Sequence, residues 1–236
     1  MSGDPLILAL PSKGRLMERA GELFEASGLP VRKTGHERGY RGEIDGYGGV
    51  EIAFLSATEI AYQLGLGRIH LGITGEDLIR ESGRDGVSRT EIVRPLGFGK
   101  ADVVVAVPEC WLDVSRMGDL EDVAATFFRE HGRRLRVATK YMNLTRRFFS
   151  DKGVTGYRLV ESLGATEGTV AAGTAEIIVD ITSTGTTLKA NHLKVLSDGL
   201  ILESQAVLAK STAVDWPSHI SEALTGILSR LDTNGA

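Results

Sequence analysis

The chain has 236 residues, 42% of them hydrophobic and 25% charged, with a formal net charge of −4. That length suffices for one large domain or two smaller lobes with a real core, and the composition is that of an ordinary globular protein. The slight acidity excludes a general basic field for collecting nucleic acid, so any anion site must be local, and the lone Cys110 excludes an internal disulfide framework or thiolate metal cluster.

The histidines, His36, His70, His131, His192 and His219, are scattered without HExxH or HxxxH spacing, so no dedicated protein metal site is expected. The N-terminus lacks the basic flank and long apolar core of a signal peptide, and no apolar run is long enough to span a bilayer. The expected setting is reducing and cytoplasmic, with neither membrane nor nucleic acid as a partner.

In chain order, Leu6 to Leu10 reads as an apolar strand stopped by Pro11. Ser12 to Arg15 then opens a helix with Leu16, Ala20, Leu23 and Phe24 on one face, closed by Gly28. Lys13 and Arg15 thus stand where a strand end meets a helix start, the edge at which open α/β sheets collect ligands. Cations sit poorly at the positive end of a helix unless an anion is there to meet them. Residues 32–50, rich in Gly, Arg and Tyr, form a hairpin or mobile loop carrying Arg38 and Arg41, whose forked donors suit polyphosphate.

Ile52 to Leu55 is the next strand, with Ser56 and Glu59 as a capping box for the helix that follows. Ile69 to Ile73 is another, ending in a turn of small and acidic residues, Thr74, Gly75, Glu76 and Asp77. This β-α-β-α-β order is that of a parallel sheet. The pattern changes near Gly97 to Lys100. Beyond it come strand Val103 to Val107, a helix capped by Asp119, strand Leu135 to Ala138 with the polar turn TKYMN, a helix from Leu144 to Phe149, strand Arg158 to Val160, and a helix around Thr169 to Ala172. Cys110, beside Pro108 and Trp111, reads as structural.

The chain is organised around its next stretch. The apolar run Ile177 to Val179 leads to Asp180 and then to Thr182, Ser183, Thr184, Gly185, Thr186 and Thr187. A phosphate needs several converging donors, and backbone N–H groups with hydroxyls at a tight turn provide them. Gly185 lets the backbone come close. Asp180 would repel a bare phosphate, so the ligand must also offer hydroxyls or a divalent cation, as ribose phosphates do. A helix-like stretch, KANHLKVL, is expected after Leu188. Gly199 to Lys210 reads as one or two strands, and Ile220 to Leu231 as a closing amphipathic helix. The order fits an α/β fold of two lobes, lobe I at 1–99 plus 197–236 and lobe II at 100–196, with the small-residue turns gathered in the cleft between them.

Through LALPSKGRL (Leu8 to Leu16), LGITGEDL (Leu71 to Leu78), RVATKYMN (Arg136 to Asn143) and DITSTGTTLKANHL (Asp180 to Leu193), the chain resembles the catalytic subunits of the ATP phosphoribosyltransferase family. The resemblance implies a type II periplasmic-binding-protein-like fold and a transfer from phosphoribosyl pyrophosphate to N1 of the ATP adenine, the first step of histidine biosynthesis. It implies that the loop after Asp180 binds the 5′-phosphate and ribose, and that Arg15 sits among the leaving-group phosphates. Arg38 or Arg41 would stabilise the departing pyrophosphate, and Glu167 would match a family glutamate. Here the turn before it reads GATE rather than a GSVE-like sequence, and SATE stands at Ser56 to Glu59 where many relatives have an arginine-containing sequence. Mg²⁺ would arrive with the substrates. The length is that of the short form, which implies a histidyl-tRNA synthetase-like regulatory subunit and a homodimer within a hetero-oligomer. The alternatives at this stage are a phosphoribosyltransferase with another acceptor and a cytoplasmic two-lobed sensor that binds a phosphorylated ligand without turnover.

Overall fold

The structure is a computed structural model and describes residues 4–34, 40–83 and 89–233. The chain divides into two units, Met1–Gly99 with Gln205–Ala236, and Lys100–Ser204. The first contains β1 (Leu6–Pro11), α1 (Gly14–Ala26), β2 (Val31–Lys33), β3 (Arg41–Ile44), β4 (Tyr47–Leu55), α2 (Ala57–Gly65), β5 (Leu71–Gly75), α3 (Glu76–Ser82) and β6 (Thr90–Pro95). The second contains β7 (Ala101–Pro108), α4 (Met117–His131), β8 (Leu135–Thr139), α5 (Met142–Asp151), β9 (Tyr157–Glu161), α6 (Gly168–Ala171), β10 (Ile177–Thr182), α7 (Thr186–Ala190) and β11 (Leu193–Ser204). The chain then returns to the first unit with β12 (Ala206–Ser211) and α8 (Ser218–Thr233).

The first sheet has the order β2-β3-β4-β1-β5-β12-β6, with β1 parallel to both β4 and β5. Alternation along β1 decides how it is covered. Leu6, Leu8 and Leu10 join Phe24 of α1 and Ile220 and Ile227 of α8 in one core, whereas Ala9 joins Ile60 and Leu64 of α2 in another. Helices on both faces are what a buried parallel centre requires, and each large apolar side chain so buried contributes roughly 1.5–3 kcal/mol. Contact is close enough to exclude a side chain at Gly72, where a Cβ would lie 2.6 Å from Ile60 Cγ2.

The second sheet has the order β11-β7-β10-β8-β9. Here β8 lies parallel to β10 and β9, and β7 runs antiparallel to β10 and β11. Val103 to Val107 are all buried. An unbroken apolar run of this kind, valine at every position but Ala106, belongs to a strand covered on both faces.

Several expectations change. The stretch KANHLKVL is not one helix: α7 stops at Ala190, Asn191 caps it, and His192 takes a left-handed φ of 55° before β11 begins. Leu193 and Leu196, three residues apart like helix neighbours, are both buried from the irregular strand β11, so the spacing misled. That strand runs to Ser204 in the second sheet, which puts the return to the first unit at Gln205 rather than at 197. The strand β6 was not anticipated, although TEIVRP has strand composition. Asp119 does not occupy the cap position of α4 but stands inside its first turn, where its carboxylate accepts from the N–H groups of Ser115 and Arg116. Cys110, read as structural, is an exposed free thiol.

Candidate active site

In the first unit, the carboxyl ends of β1, β4 and β5 carry the polar turns that the sequence singles out. The N–H of Ser12 donates to Leu55 O at 2.8 Å and so ties the end of β1 to that of β4. Lys13 then caps α1 in extended conformation, and Gly14 takes a φ of 71° as the helix begins. Lys13 and Arg15 are both exposed, the first turn of α1 contains no acidic residue, and among the described residues neither cation pairs with a carboxylate. Positive charge therefore collects at the positive end of a 13-residue helix.

Gly75 ends β5 and caps α3. Its Cα faces the buried Asp77 carboxylate so closely that a Cβ would lie 2.2 Å from Asp77 Oδ1. Thr74 is fully buried and donates from Oγ1 to Ala57 O at 2.7 Å, which joins this strand end to the start of α2. Ser56 Oγ accepts from Glu59 N at 3.2 Å, the helix cap expected from the sequence.

Of the two loop arginines, Arg41 begins β3 and pairs with Glu51 at 2.8 Å, its side chain otherwise exposed. Arg38 lies outside the described residues. Lys13, Arg15, Arg41 and Gly75 all belong to the first unit, whereas Glu167, Asp180 and Thr182 to Thr187 belong to the second.

In the second unit, the parallel strands β10 and β8 both end in polar turns. Strand β10 continues through Asp180 to Thr182, further than its apolar run. Thr182 Oγ1 accepts from Gly185 N at 2.8 Å, folding the loop back on itself. Gly185 takes a φ of 71°, and that left-handed conformation is the reason for glycine at this position. The hydroxyls of Thr184 and Thr186 bond each other at 2.8 Å, and the loop presents Ser183, Thr184, Thr186 and Thr187 exposed. The cradle is thus held open by its own hydroxyls. Since one hydroxyl of the Thr184–Thr186 pair donates to the other, a proton remains for a ligand oxygen.

Asp180 is half-buried and accepts from Ile181 N at 2.8 Å. Burial pushes its carboxyl above the ordinary range. The Ile181 N–H and the Lys140 ammonium oppose this, and the charge of Glu167 adds to it. Glu167 precedes α6 at the end of a turn in which Ala165 holds a left-handed φ of 48°. Thr166, buried beside it, donates to Ser162 Oγ at 3.1 Å, and Ser162 N donates to Thr139 O at 3.0 Å. The residue the sequence reading passed over is Lys140. It stands one position past β8 in the polar TKYMN turn, and a cation directly after a strand, like Lys13 after β1, was the available signal. Among the described residues, no group of three or more His, Cys, Asp or Glu side chains is arranged to hold a metal ion, and no helix is long and apolar enough to cross a membrane.

Comparison with known proteins extends this picture. A family model described as "HisG: ATP phosphoribosyltransferase" matches residues 56–233, a span that includes the loop after β10 but not Lys13, Arg15 or Arg41. An ATP phosphoribosyltransferase from Rhodopseudomonas palustris (strain BisB18) is 58% identical over 227 residues, 96% of this chain and 70% of the relative. Another from Chelativorans sp. (strain BNC1) is 64% identical over 202 residues, 85% of this chain and 88% of the relative. Among solved structures, the ATP phosphoribosyl transferase (HisG:HisZ) complex from Thermotoga maritima contains a chain that aligns over 98% of both chains with a TM-score of 0.74 at 23% identity. The substrate binding protein of an amino acid ABC transporter aligns over 98% of this chain and 94% of its own with a TM-score of 0.51 at 11% identity. At such identities the two structures speak to the fold, and they agree with the α/β architecture expected from the sequence.

Proposed function

The chain belongs to the ATP phosphoribosyltransferase family, enzymes of the first step of histidine biosynthesis, and we propose that its loop from Thr182 to Thr187 holds the phosphoribosyl group while Lys13 and Arg15 meet the departing pyrophosphate. The observation that carries this reading is the hydroxyl-lined loop with Gly185 at φ 71° directly after Asp180. It lies inside the segment that matches the family model.

The reaction joins N1 of the ATP adenine to C1 of the ribose and breaks the bond from C1 to the pyrophosphate oxygen. Adenine N1 is a weak nucleophile, so the burden falls on stabilising a cationic ribosyl centre and the charge that develops on the leaving group. Exposed Ser183, Thr184, Thr186 and Thr187 supply hydroxyl donors to the 5′-phosphate. Asp180, and Glu167 beside it in charge, accept from the ribose hydroxyls. Lys13 and Arg15, unpaired by carboxylates among the described residues, place positive charge where negative charge grows. Of the two loop arginines, Arg41 reaches a pyrophosphate only by giving up Glu51 or sharing it. Mg²⁺ travels with the substrate phosphates in this scheme and adds counter-charge to them. Gly75 leaves room at the end of β5 for the Asp77 carboxylate.

The setting is cytoplasmic. A regulatory subunit related to histidyl-tRNA synthetases is the partner, with two copies of this chain inside a hetero-oligomer. The Thermotoga maritima complex pairs a chain of this fold with HisZ.

The test is pyrophosphate release by the purified chain supplied with ATP, phosphoribosyl pyrophosphate and Mg²⁺, followed together with the change in adenine absorbance on adduct formation. Product that depends on both substrates is expected, and addition of the regulatory subunit should raise the rate. A chain that binds both substrates yet makes no product alone or with that subunit would overturn the reading in favour of a sensor.

A further inference from the structure

We propose that Lys140 is a positioning residue for the phosphoribosyl site, its ammonium balancing the Asp180 and Glu167 carboxylates so that both can face the same sugar hydroxyls. This rests on the functional reading above and adds a residue to the site.

The placement follows from the sheet. Strands β8 and β10 are parallel, with Thr139 opposite Val179, so the next residue of each strand is Lys140 on one and Asp180 on the other. Two residues at that step lie side by side at the carboxyl edge. On the far side of β8, Glu161 of β9 is in register with Thr139, so by pleat alternation it points away from the face that Lys140 and Asp180 share. The turn after β9 brings back the second carboxylate. Ser162 is tied to Thr139 by its N–H and to Thr166 by its hydroxyl, and Glu167 is the next residue along. Ala165 holds a left-handed conformation within that turn, a backbone state that an alanine adopts only when its surroundings impose it.

The other neighbours of Asp180 supply little countercharge. Across β10, its antiparallel partner on β7 is Val104, with Val103 and Val105 on either side. The next charged group on that face is again a carboxylate, Asp102, opposite Thr182. On its own strand, the N–H of Ile181 donates to Oδ1. The Lys140 ammonium favours the charged form of Asp180 and the Glu167 carboxylate disfavours it, each by less than burial does. Desolvation disfavours the charged form of this half-buried carboxyl, and the negative charge of Glu167 disfavours it further. A cation beside them offsets part of both penalties, burial remaining the larger effect. Lys140 is exposed, and its Nζ lies 4.8 Å from the centre of the Tyr141 ring, a contact that restrains the side chain near the end of its strand. Tyr141 is itself fully buried, and its N–H donates to Thr139 Oγ1 at 2.8 Å.

A ribose diol binds best to acceptors without protons. If the ammonium is removed, Asp180 takes up a proton at higher pH and loses acceptor capacity for the sugar. The loss falls on the phosphoribosyl substrate and not on ATP.

The test compares wild type with Lys140→Met and Lys140→Arg, using initial rates over a range of pH and calorimetric binding of phosphoribosyl pyrophosphate with Mg²⁺. The methionine variant should weaken phosphoribosyl pyrophosphate binding and raise its KM by about tenfold, the order of one weakened hydrogen bond to a charged acceptor, and should move the acid limb of kcat/KM toward higher pH. Its KM for ATP should stay within about twofold and its melting temperature should hold, since Lys140 is exposed. The arginine variant, which keeps the charge, should recover most of the affinity and the wild-type acid limb. An unmoved acid limb with wild-type affinity in a folded Lys140→Met protein would overturn the proposal, as would a defect confined to ATP. If wild type turns nothing over but binds phosphoribosyl pyrophosphate, the calorimetric comparison still decides the role of Lys140. Failure of wild type to bind it would remove both this inference and the function beneath it.

Discussion

Arg15 and Gly75 show how single residues define the first unit's edge. Arg15 is exposed and has no carboxylate partner among the described residues, so nothing in the fold needs its charge. Arg15→Ala should lower kcat/KM by about 10²–10³-fold, the usual effect of losing one donor to a developing charge. Its melting temperature should stay within about 1 °C of wild type. Steady-state kinetics beside a thermal melt separates these effects, and wild-type turnover would remove Arg15 from the mechanism. Gly75 is the opposite case. Its φ of −77° suits any residue, so glycine is required there by space alone. Gly75→Ala would place a Cβ 2.2 Å from Asp77 Oδ1 and force a buried carboxylate to move. A loss of about 1–3 kcal/mol in chemical denaturation is expected, in line with other overpacked sites. An unchanged denaturation midpoint would mean that Asp77 relocates without cost.

Among the elements, the start of β10 is held by an ion cluster whose arginines, Arg133 and Arg136, are remote in sequence from the phosphate loop. Glu176 accepts from Arg136 Nη2 at 2.6 Å, from Arg136 N at 2.7 Å and from Arg133 Nη2 at 3.0 Å. Burial alone would raise its pKa, but these donors prevail and bring it from 4.5 to about 2. A carboxyl whose native pKa is depressed binds protons less readily in the folded state than in the unfolded one. Its stabilisation is complete above 4.5 and drains away as pH falls toward 2. Glu176→Gln should therefore flatten the dependence of unfolding free energy on pH in that interval and lower stability at neutral pH. Denaturant titrations across the acid range check both, and an unaltered slope would show the cluster to be without weight. The sequence displayed no sign of it, because Arg133, Arg136 and Glu176 are brought together only by pairing β8 with β10. The phosphate loop was legible for the opposite reason: Asp180 to Thr187 is contiguous, and its hydroxyls and Gly185 act through local geometry. At KANHLKVL local reading failed, since the same apolar spacing serves a helix face or an irregular strand and only the neighbouring β7 selects between them.

For the molecule as a whole, the second unit is one continuous segment of chain set within the sequence of the first. Ala101 at the start of β7 pairs with Ser204 at the end of β11, so the ends of the inserted segment lie side by side on one sheet. Segments with adjacent ends and their own core can fold when excised. Residues 100–204 expressed alone should therefore show a cooperative thermal transition and a near-ultraviolet circular dichroism spectrum of packed aromatics. A broad, non-cooperative melt would show that the segment needs the rest of the chain.

By itself, the sequence determined the alternation of strands and helices, the change of unit near residue 100, and the polar turns at the carboxyl ends of β1, β5, β8 and β10. All of these depend on periodicity, capping and turn chemistry within a few residues, where local preferences act. Only the tertiary structure decided that β11 belongs to the second sheet through Ser204, that β6 pairs with β12, that Arg41 is held by Glu51, and that β8 pairs with β10 as far as Thr139 and Val179. Those outcomes depend on strand order and register. Long-range backbone pairing sets both, and no window of neighbouring residues contains them.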